Sequence, residues 1–278
     1  MNQSKSITPI VLTIAGSDSG GGAGVQADIK AISATGGYAC SVITAITAQN
    51  TKTVSAIHPI PLEYVEKQLD AVFTDLNVVA VKVGMLADSE IIKVVARKLK
   101  QYQPKFLVVD PVMVTRAGDL LLEQSAIATL KAELLPMADI ITPNLPEGAA
   151  LIGSDIRTIN SEQGMQTIMN SLRELDVKAI LLKGGYLTKE THSNDHFILK
   201  DSIQQLTAKR VMTNNTHGTG CTLSSAIASY LAQGNDLLTA VKLGKAYITQ
   251  ALLHADQLSI GEGHGPVHHF YQLNTSNA

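Results

Sequence analysis

A short glycine-rich segment, Gly218-Thr219-Gly220, leads directly into Cys221 and then into an alanine- and serine-rich stretch, Leu223–Ala232. We predict a helix over that stretch, so the glycine turn opens a helix. Free backbone N–H groups converge at a helix start, where the helix dipole adds partial positive charge. The turn therefore suits phosphate or a developing negative charge. The same field favours a thiolate, and we expect Cys221 to have a lowered pKa and to accept a proton. The alternative for Cys221 is a small buried apolar side chain, which is how we interpret Cys40.

Several polar side chains lie where apolar segments of strand length end. They are Asp18, Lys82, Asp110, Asn144 and Lys183. In a parallel sheet the carboxyl ends of the strands meet at one edge, and ligands bind there. Two glycines follow Lys183, and a lysine beside flexible backbone is a candidate phosphate clamp. A solvated lysine is the alternative.

Apolar runs of strand length alternate along the chain with segments of helical period. Predicted strands are Pro9–Ala15, Tyr38–Ala48, Val78–Val83, Phe106–Asp110, Ala138–Thr142 and Val177–Leu182, with a hairpin of Asp195–Lys200 and Ile203–Leu206. Predicted helices are Gly24–Thr35, Pro61–Leu76, Ser89–Tyr102, Leu223–Ala232 and Leu237–Ala255. This alternation predicts an α/β fold with a mainly parallel sheet between layers of helices. We expect one domain over residues 1–278.

Charge and cysteine content restrict the class of protein. The chain has 278 residues, with 22 basic and 24 acidic side chains and no long run of either sign. We therefore expect no nucleic-acid partner. No apolar run approaches the ~20 residues of a membrane helix, so we expect no membrane partner. Only two cysteines occur, which fits a reducing compartment and predicts a cytoplasmic protein.

A second glycine-rich segment, Gly16–Gly24, follows the first predicted strand. Its end, Gly22–Ala27, fits the G-x-G-x-x-A fingerprint of dinucleotide-binding folds. Such folds also need an acidic residue about 20 positions later, and none occurs between Asp28 and Glu63. The Walker P-loop motif is not met either, because Ala246 occupies the position after Gly244-Lys245 where the motif requires Ser or Thr. So many glycines indicate that backbone approaches something closely, and we expect a ligand rather than another element.

Seven segments, in this order and spacing, resemble the hydroxymethylpyrimidine and phosphomethylpyrimidine kinases of the ribokinase-like superfamily. They are Gly20–Asp28, Thr47–Thr51, Lys82–Leu86, Asp110–Met113, Thr142–Glu147, Leu182–Gly185 and Thr216–Cys221. One departure is Ser19-Gly20, where relatives usually carry Pro-Ser. The resemblance implies a three-layer α/β/α fold, usually as a homodimer. It also implies ATP-dependent phosphorylation of 4-amino-5-hydroxymethyl-2-methylpyrimidine, and then of its monophosphate to the pyrophosphate.

The resemblance also implies roles for individual residues. The residues assigned to catalysis are Gly218, Thr219, Gly220 and Cys221, and those assigned to pyrimidine binding are Gly16, Asp28, Gln49, Met85 and Val112. ATP binding is assigned to Asn144, Lys183 and Thr216, and Mg²⁺ binding, largely through water, to Asp110 and Glu147. The Gln49 amide both donates and accepts hydrogen bonds, as an aminopyrimidine edge requires. Three of these residues also have an interpretation without a role in the site. Glu147 could be a first-turn carboxylate stabilised by the helix dipole, Met85 a core residue and Asp28 a solvated charge.

Other functions remain open from the residues alone. A pyridoxal kinase on the same scaffold takes a similar flat hydroxymethyl heteroaromatic substrate, and a non-catalytic pyrimidine sensor would bind without turnover. The histidine groups, His264 with His268-His269 and His192 with His196, lack nearby cysteines, which disfavours a structural zinc site. His217 precedes the glycine turn and is expected to order it. The polar segment Gly184–Asn194 is a candidate lid.

Overall fold

The computed structural model describes residues 8–113, 124–154, 162–186 and 191–273. The strands are β1 (Ile10–Ala15), β2 (Tyr38–Ile43), β3 (Ala45–Gln49), β4 (Val54–Pro59), β5 (Val78–Val83), β6 (Phe106–Val109), β7 (Ile140–Ile141), β8 (Ile180–Leu182), β9 (His192–Ile198) and β10 (Ile203–Lys209). The helices are α1 (Gly24–Ala34), α2 (Leu62–Asp75), α3 (Ser89–Tyr102), α4 (Gln124–Thr129), α5 (Leu145–Ile152), α6 (Glu162–Leu172), α7 (Thr219–Ala232) and α8 (Leu237–Leu253).

Eight strands form one sheet in the order β10-β9-β8-β7-β6-β5-β1-β2. From β2 to β8 all neighbours are parallel, and the β9–β10 hairpin continues the sheet antiparallel to β8. Helices α1, α7 and α8 pack together on one side, while α2 packs on α3, α3 on α4, and α5 on α6. The expected three-layer α/β/α architecture with a mainly parallel sheet is confirmed.

Alternation along the strands places an apolar core on each side of the sheet. On β1, Leu12 and Ile14 belong to the core that includes α2 and α3, whereas Val11 belongs to the core that includes α7 and α8. All three side chains have no exposed area. Strands that are buried on both faces read as continuous apolar runs. That is why the central strands could be found from the sequence.

The predicted strand Tyr38–Ala48 is wrong as a single element. Thr44 breaks it: its N–H donates to the Ala15 carbonyl at 3.0 Å and its hydroxyl donates to the Met85 carbonyl at 2.8 Å. After this break β3 leaves the main sheet and pairs antiparallel with β4, a strand the sequence analysis missed. Most of β4 is exposed, so it lacks the apolar run that marks a buried strand.

The segment 261–266 near the end of the described chain ties two distant parts of the fold together. Its His264 N–H donates to the Thr51 carbonyl at 2.9 Å, in the turn between β3 and β4. Its Gly265 carbonyl accepts the His217 N–H at 3.0 Å, just before α7. Among the helices of the described chain, none is long and apolar enough to cross a membrane.

One ion pair is buried at the centre of the molecule. Lys82 on β5 and Asp28 on α1 have no exposed area, and the Lys82 Nζ lies 2.9 and 2.8 Å from the two Asp28 carboxylate oxygens. Hydroxyls of Thr13 on β1 and Ser225 on α7 donate to the same carboxylate, at 2.6 and 2.7 Å. Burial lowers the pKa of Lys82, but Asp28, Cys221 and Asp110 together outweigh the burial, and the pKa lies above its ordinary value. Lys82 therefore stays charged, and the contacts of the Asp28 carboxylate join two strands to two helices.

We expect Lys82→Met to lower the free energy of unfolding by about 3–5 kcal/mol, because it leaves the Asp28 carboxylate buried without a cation. The measurement is chemical denaturation followed by circular dichroism. The matched control is Lys93→Met, which removes an exposed ion pair with Glu90 and should leave the midpoint unchanged. Equal effects of the two substitutions would contradict the buried pair's role.

Candidate active site

The glycine turn before α7 has the geometry expected of an anion site. Gly218 is the N-cap of α7 and has a left-handed backbone, with φ of 77°. A Cβ at this position would lie 1.8 Å from the Gly22 carbonyl oxygen, so only glycine fits. No side chain of the described residues caps the helix; the Thr219 N–H donates to the Thr216 carbonyl at 3.3 Å, and the next amides of the first turn are left for a ligand. The helix begins at Thr219, four residues earlier than predicted, and Cys221 therefore lies in its first turn.

The predicted phosphate clamp lies beside this turn. The Lys183 Nζ is 2.8 Å from Asp110 Oδ1. A Cβ on Gly220 would meet that Nζ at 3.2 Å and Asp110 Oδ2 at 3.5 Å. The Thr142 hydroxyl donates to Asp110 Oδ1 at 2.8 Å. Four separate elements thus bring a cation, a carboxylate and free helix amides together. The sequence analysis gave Thr142 no role of its own, although it lies at a predicted strand end and opens the segment Thr142–Glu147.

The carboxylate of Asp110 is charged although it is buried. Burial raises its pKa, but Lys183 and Lys82 outweigh the burial and hold the pKa below its usual value. For Lys183, burial lowers the pKa, and Asp110 and Glu147 outweigh it in the other direction. Each group thus stays ionised because the other is present. A ligand that binds Lys183 through phosphate leaves the Asp110 carboxylate free for a cation.

Glu147 and Asn144 form a capping box at the start of α5. Asn144 Oδ1 accepts the Glu147 N–H at 2.9 Å, and Glu147 Oε2 accepts the Asn144 N–H at 2.8 Å. The same Oε2 lies 4.0 Å from Lys183 Nζ. Burial, with a smaller contribution from Asp110, raises the pKa of Glu147 to about 7 against the opposing effect of Lys183. One Glu147 oxygen thus caps the start of α5, and the metal role of Glu147 and its helix-dipole alternative both stay predictions.

The donor set fits Mg²⁺ better than a metal held by protein alone. Within the described ranges, no three His, Cys, Asp or Glu side chains gather closely enough to hold a metal ion. Mg²⁺ needs only one or two carboxylates and completes its shell with water and substrate phosphate. Asp110 and Glu147 both reach towards Lys183 and are the carboxylates that suit it. When bound there, Mg²⁺ would neutralise phosphate charge.

The expected lowering of the Cys221 pKa is wrong. The side chain is partly buried, and its pKa is raised to about 11. Burial is the main cause; Lys82 opposes it, and the carboxylates of Asp28 and Asp110 add to it. A helix start favours a thiolate, but two buried carboxylates nearby and the loss of water outweigh that field. Neither carboxylate is close to Cys221 in the sequence, so the effect was not visible there.

The residues predicted to bind the pyrimidine differ in their contacts and in their burial. A Cβ on Gly16 would lie 2.6 Å from the Met85 methyl carbon, so these two residues are in contact. Val112 follows Asp110 directly and is partly exposed. Asp28, in contrast, is fully buried with its oxygens bonded to Lys82, Thr13 and Ser225. Direct contact between Asp28 and a substrate is not supported, because no face of the carboxylate is open.

Several glycines of Gly16–Gly24 approach other parts of the chain closely, and the expected ligand contact stays a prediction. A Cβ on Gly22 would lie 2.4 Å from the His217 ring, and one on Gly24 would lie 2.4 Å from the Gly16 carbonyl oxygen. The loop is closed by Asp18, whose carboxylate accepts N–H groups of Gly20, Gly22 and Ala23 at 2.7–2.9 Å. The two glycine-rich segments therefore pack on each other.

His217 connects this loop to the predicted substrate residue Gln49. Its Nε2 lies 2.8 Å from Asp18 Oδ2 and 3.3 Å from the Gln49 amide. The sequence analysis gave His217 no partner, since Asp18 is 199 positions away. Nearby, the Thr216 Oγ1 is buried and has no hydrogen-bond partner among the described residues. A buried hydroxyl without a partner is unusual and is consistent with the predicted nucleotide contact. The candidate lid Gly184–Asn194 lies partly outside the described residues.

We expect Cys221 to react with iodoacetamide slowly at neutral pH, because only the thiolate is nucleophilic and the raised pKa keeps the thiol protonated. Its alkylation rate should rise about tenfold per pH unit from pH 7 to beyond pH 9. Mass spectrometry of the peptide that contains Cys221 measures this rate. A plateau reached below pH 8 would contradict the raised pKa.

Comparison with known proteins identifies the family. A profile of the phosphomethylpyrimidine kinase family matches residues 18–268. Over 266 residues the chain is 50% identical to the hydroxymethylpyrimidine/phosphomethylpyrimidine kinase of Rhizobium meliloti, which covers 96% of this chain and 98% of that protein. These matches span the glycine turn, the Lys183 region and the Asp18 loop alike.

Solved structures agree with this match. The crystal structure of the phosphomethylpyrimidine kinase from Clostridium difficile has a TM-score of 0.75 and 45% identity, and covers 87% of this chain and 99% of that one. The pyridoxal kinase from Staphylococcus aureus in complex with AMP-PCP and pyridoxal has a TM-score of 0.85 and 31% identity, and covers 96% of each chain. Profile, sequence and structure agree over nearly the whole chain: it belongs to the phosphomethylpyrimidine kinase family.

Proposed function

We propose that this chain uses ATP to phosphorylate 4-amino-5-hydroxymethyl-2-methylpyrimidine, and then its monophosphate, as a step of thiamine biosynthesis. One observation carries the proposal. The uncapped start of α7 lies against the Lys183–Asp110 pair, so free amides, a cation and a metal-binding carboxylate surround one position. Phosphoryl transfer needs positioning and charge stabilisation above all. Family membership supplies the substrate class.

ATP phosphates would bind between Lys183 and the first amides of α7. The backbone amides act on the equatorial oxygens, where negative charge spreads as the terminal phosphoryl group moves. Lys183 provides the fixed positive charge, and the Thr216 hydroxyl, which has no partner in the described part of the chain, is available to a phosphate oxygen. Asn144 acts through the capping box, because its side-chain oxygen is already bonded to the start of α5. It positions Glu147 near the bound metal.

The pyrimidine would bind between the end of β3 and the loop that joins β5 to α3. Gln49 provides a paired donor and acceptor for the ring edge, while Met85 and Val112 supply apolar contact. The hydroxymethyl group then points to Cys221. At neutral pH most of the thiol is protonated, so only the small thiolate fraction of Cys221 accepts the hydroxyl proton, and this fraction grows as the pH rises. A loose transition state tolerates late proton loss.

Two further properties belong to this proposal. We infer a homodimer, as is usual in the family, and the exposed apolar side chains Ile46 and Ile57 on the β3–β4 ribbon offer one surface for it. We also infer a cytoplasmic enzyme, in keeping with its two free cysteines.

Product analysis tests the function directly. We expect the protein, incubated with ATP, Mg²⁺ and the pyrimidine alcohol, to form the monophosphate first and the pyrophosphate later, with matching ADP release. Mass spectrometry follows all three products, and omission of Mg²⁺ is the control. Faster phosphorylation of pyridoxal in a parallel assay would favour the pyridoxal kinase alternative. The Staphylococcus aureus pyridoxal kinase has a similar fold to this chain. Calorimetric binding of the pyrimidine without ADP release would favour a sensor.

We expect Cys221→Ala to lower kcat by roughly 10²–10⁴ and to leave the pyrimidine KM nearly unchanged, as for loss of a general base. Steady-state kinetics with saturating ATP measure both constants. Because the thiol titrates near pH 11, wild-type kcat should still be rising at pH 9, and the variant should show no such rise. Unchanged turnover in the variant would mean that the amides and Lys183 alone carry the rate.

A further inference from the structure

The Gln49 amide has two neighbours that decide its orientation. One end lies 3.3 Å from His217 Nε2 and the other lies 3.3 Å from Thr47 Oγ1. The nitrogen and oxygen of a primary amide have nearly the same size. The hydrogen-bond partners therefore determine which end is which.

The His217 side requires the amide oxygen. His217 Nε2 lies 2.8 Å from Asp18 Oδ2. Burial raises the Asp18 pKa, but hydrogen bonds from His217 and the Ala23 amide outweigh it and hold the pKa below its usual value, so the carboxylate is ionised. An ionised carboxylate only accepts, and therefore the hydrogen of this contact is on His217 Nε2. A protonated Nε2 has no lone pair that could accept from an amide NH₂, so the end of Gln49 that faces it is the oxygen, which shares the single Nε2 hydrogen with Asp18 Oδ2.

The Thr47 side independently requires the amide nitrogen. The Thr47 hydroxyl has one hydrogen, and it donates this hydrogen to the Ser17 carbonyl at 2.8 Å. Towards Gln49 the hydroxyl can then only accept. The group facing it is therefore the NH₂ of the amide. Two separate contacts, on opposite sides of Gln49, select the same orientation.

We propose that His217, together with Asp18 and Thr47, is a positioning residue that fixes the Gln49 amide with Oε1 towards His217 and Nε2 towards Thr47. This deepens the proposed function and rests on it for the identity of the ligand. The fixed amide leaves an oxygen lone pair and one N–H for a ring edge. The exocyclic amine of the pyrimidine then lies on the His217 side and the adjacent ring nitrogen on the Thr47 side.

The proton position is tested on the free protein, without any substrate. Long-range ¹H–¹⁵N spectra of histidine-labelled protein, with His217 assigned through the His217→Gln variant, report which ring nitrogen carries hydrogen. We expect Nε2 of His217 to be protonated. A bare Nε2 with hydrogen on Nδ1 alone would overturn the proposal, whatever reaction the protein catalyses.

The amide orientation is tested by calorimetry with three variants. A glutamine side chain reaches the position of His Nε2 and keeps a donor there, so His217→Gln should bind the pyrimidine alcohol nearly as wild type does. Methionine has no donor, so His217→Met should weaken this binding about 10-fold. Both should bind a non-hydrolysable ATP analogue within about 2-fold of wild type. The control is His58→Gln on the exposed β4, which should change neither affinity.

An analogue that lacks the exocyclic amine separates positioning from general damage. It should bind wild type more weakly than the aminopyrimidine does, and His217→Met should reduce that discrimination. Equal weakening of both pyrimidines by His217→Met, or an equal loss in His217→Gln, would overturn the assignment. If wild type binds and phosphorylates no pyrimidine, the proposed function fails, while the ring-nitrogen measurement still decides the position of the His217 proton.

Discussion

The fold depends on one buried charge pair. Asp28 and Lys82 join α1 to β5, and the same carboxylate receives hydroxyls from β1 and α7. Because α7 carries the glycine turn at its start, this pair fixes the anion site relative to the sheet edge. Lys82 also acts on Cys221 and Asp110. Helix α7 is thus aligned by hydrogen bonds of defined geometry in addition to its apolar packing.

The charges of the site are best understood together. Lys82, Lys183, Asp28 and Asp110 alternate in sign across the interior, and each shifts the pKa of a neighbour. Cys221 interacts with all four of these groups and is held as a thiol. Nucleotide and metal would change the balance, since phosphate adds negative charge near Lys183 and a divalent cation offsets Asp110. The protonation state of the thiol therefore depends on what the site contains.

Much of the fold could be predicted because buried parallel strands read as apolar runs, and β1, β5 and β6 did so. The Tyr38–Ala48 prediction failed because no local signal marks Thr44, whose partners are the carbonyls of Ala15 and Met85. The residue types of the site were recognisable from motifs. Their electrostatics were not: the raised pKa of Cys221 and the burial of Asp28 arise from contacts between residues far apart in sequence. The His217–Asp18 contact is hidden for the same reason.

The segment 261–266 holds the β3–β4 turn at Thr51 and the approach to α7 at His217. The ring-edge contact on β3 and the phosphate turn on α7 are therefore not independently anchored. A deletion within this short stretch would loosen both at once, so a loss of pyrimidine affinity and a loss of turnover in such a protein would share one mechanical origin. Sequence changes there carry consequences out of proportion to their distance from the reacting atoms.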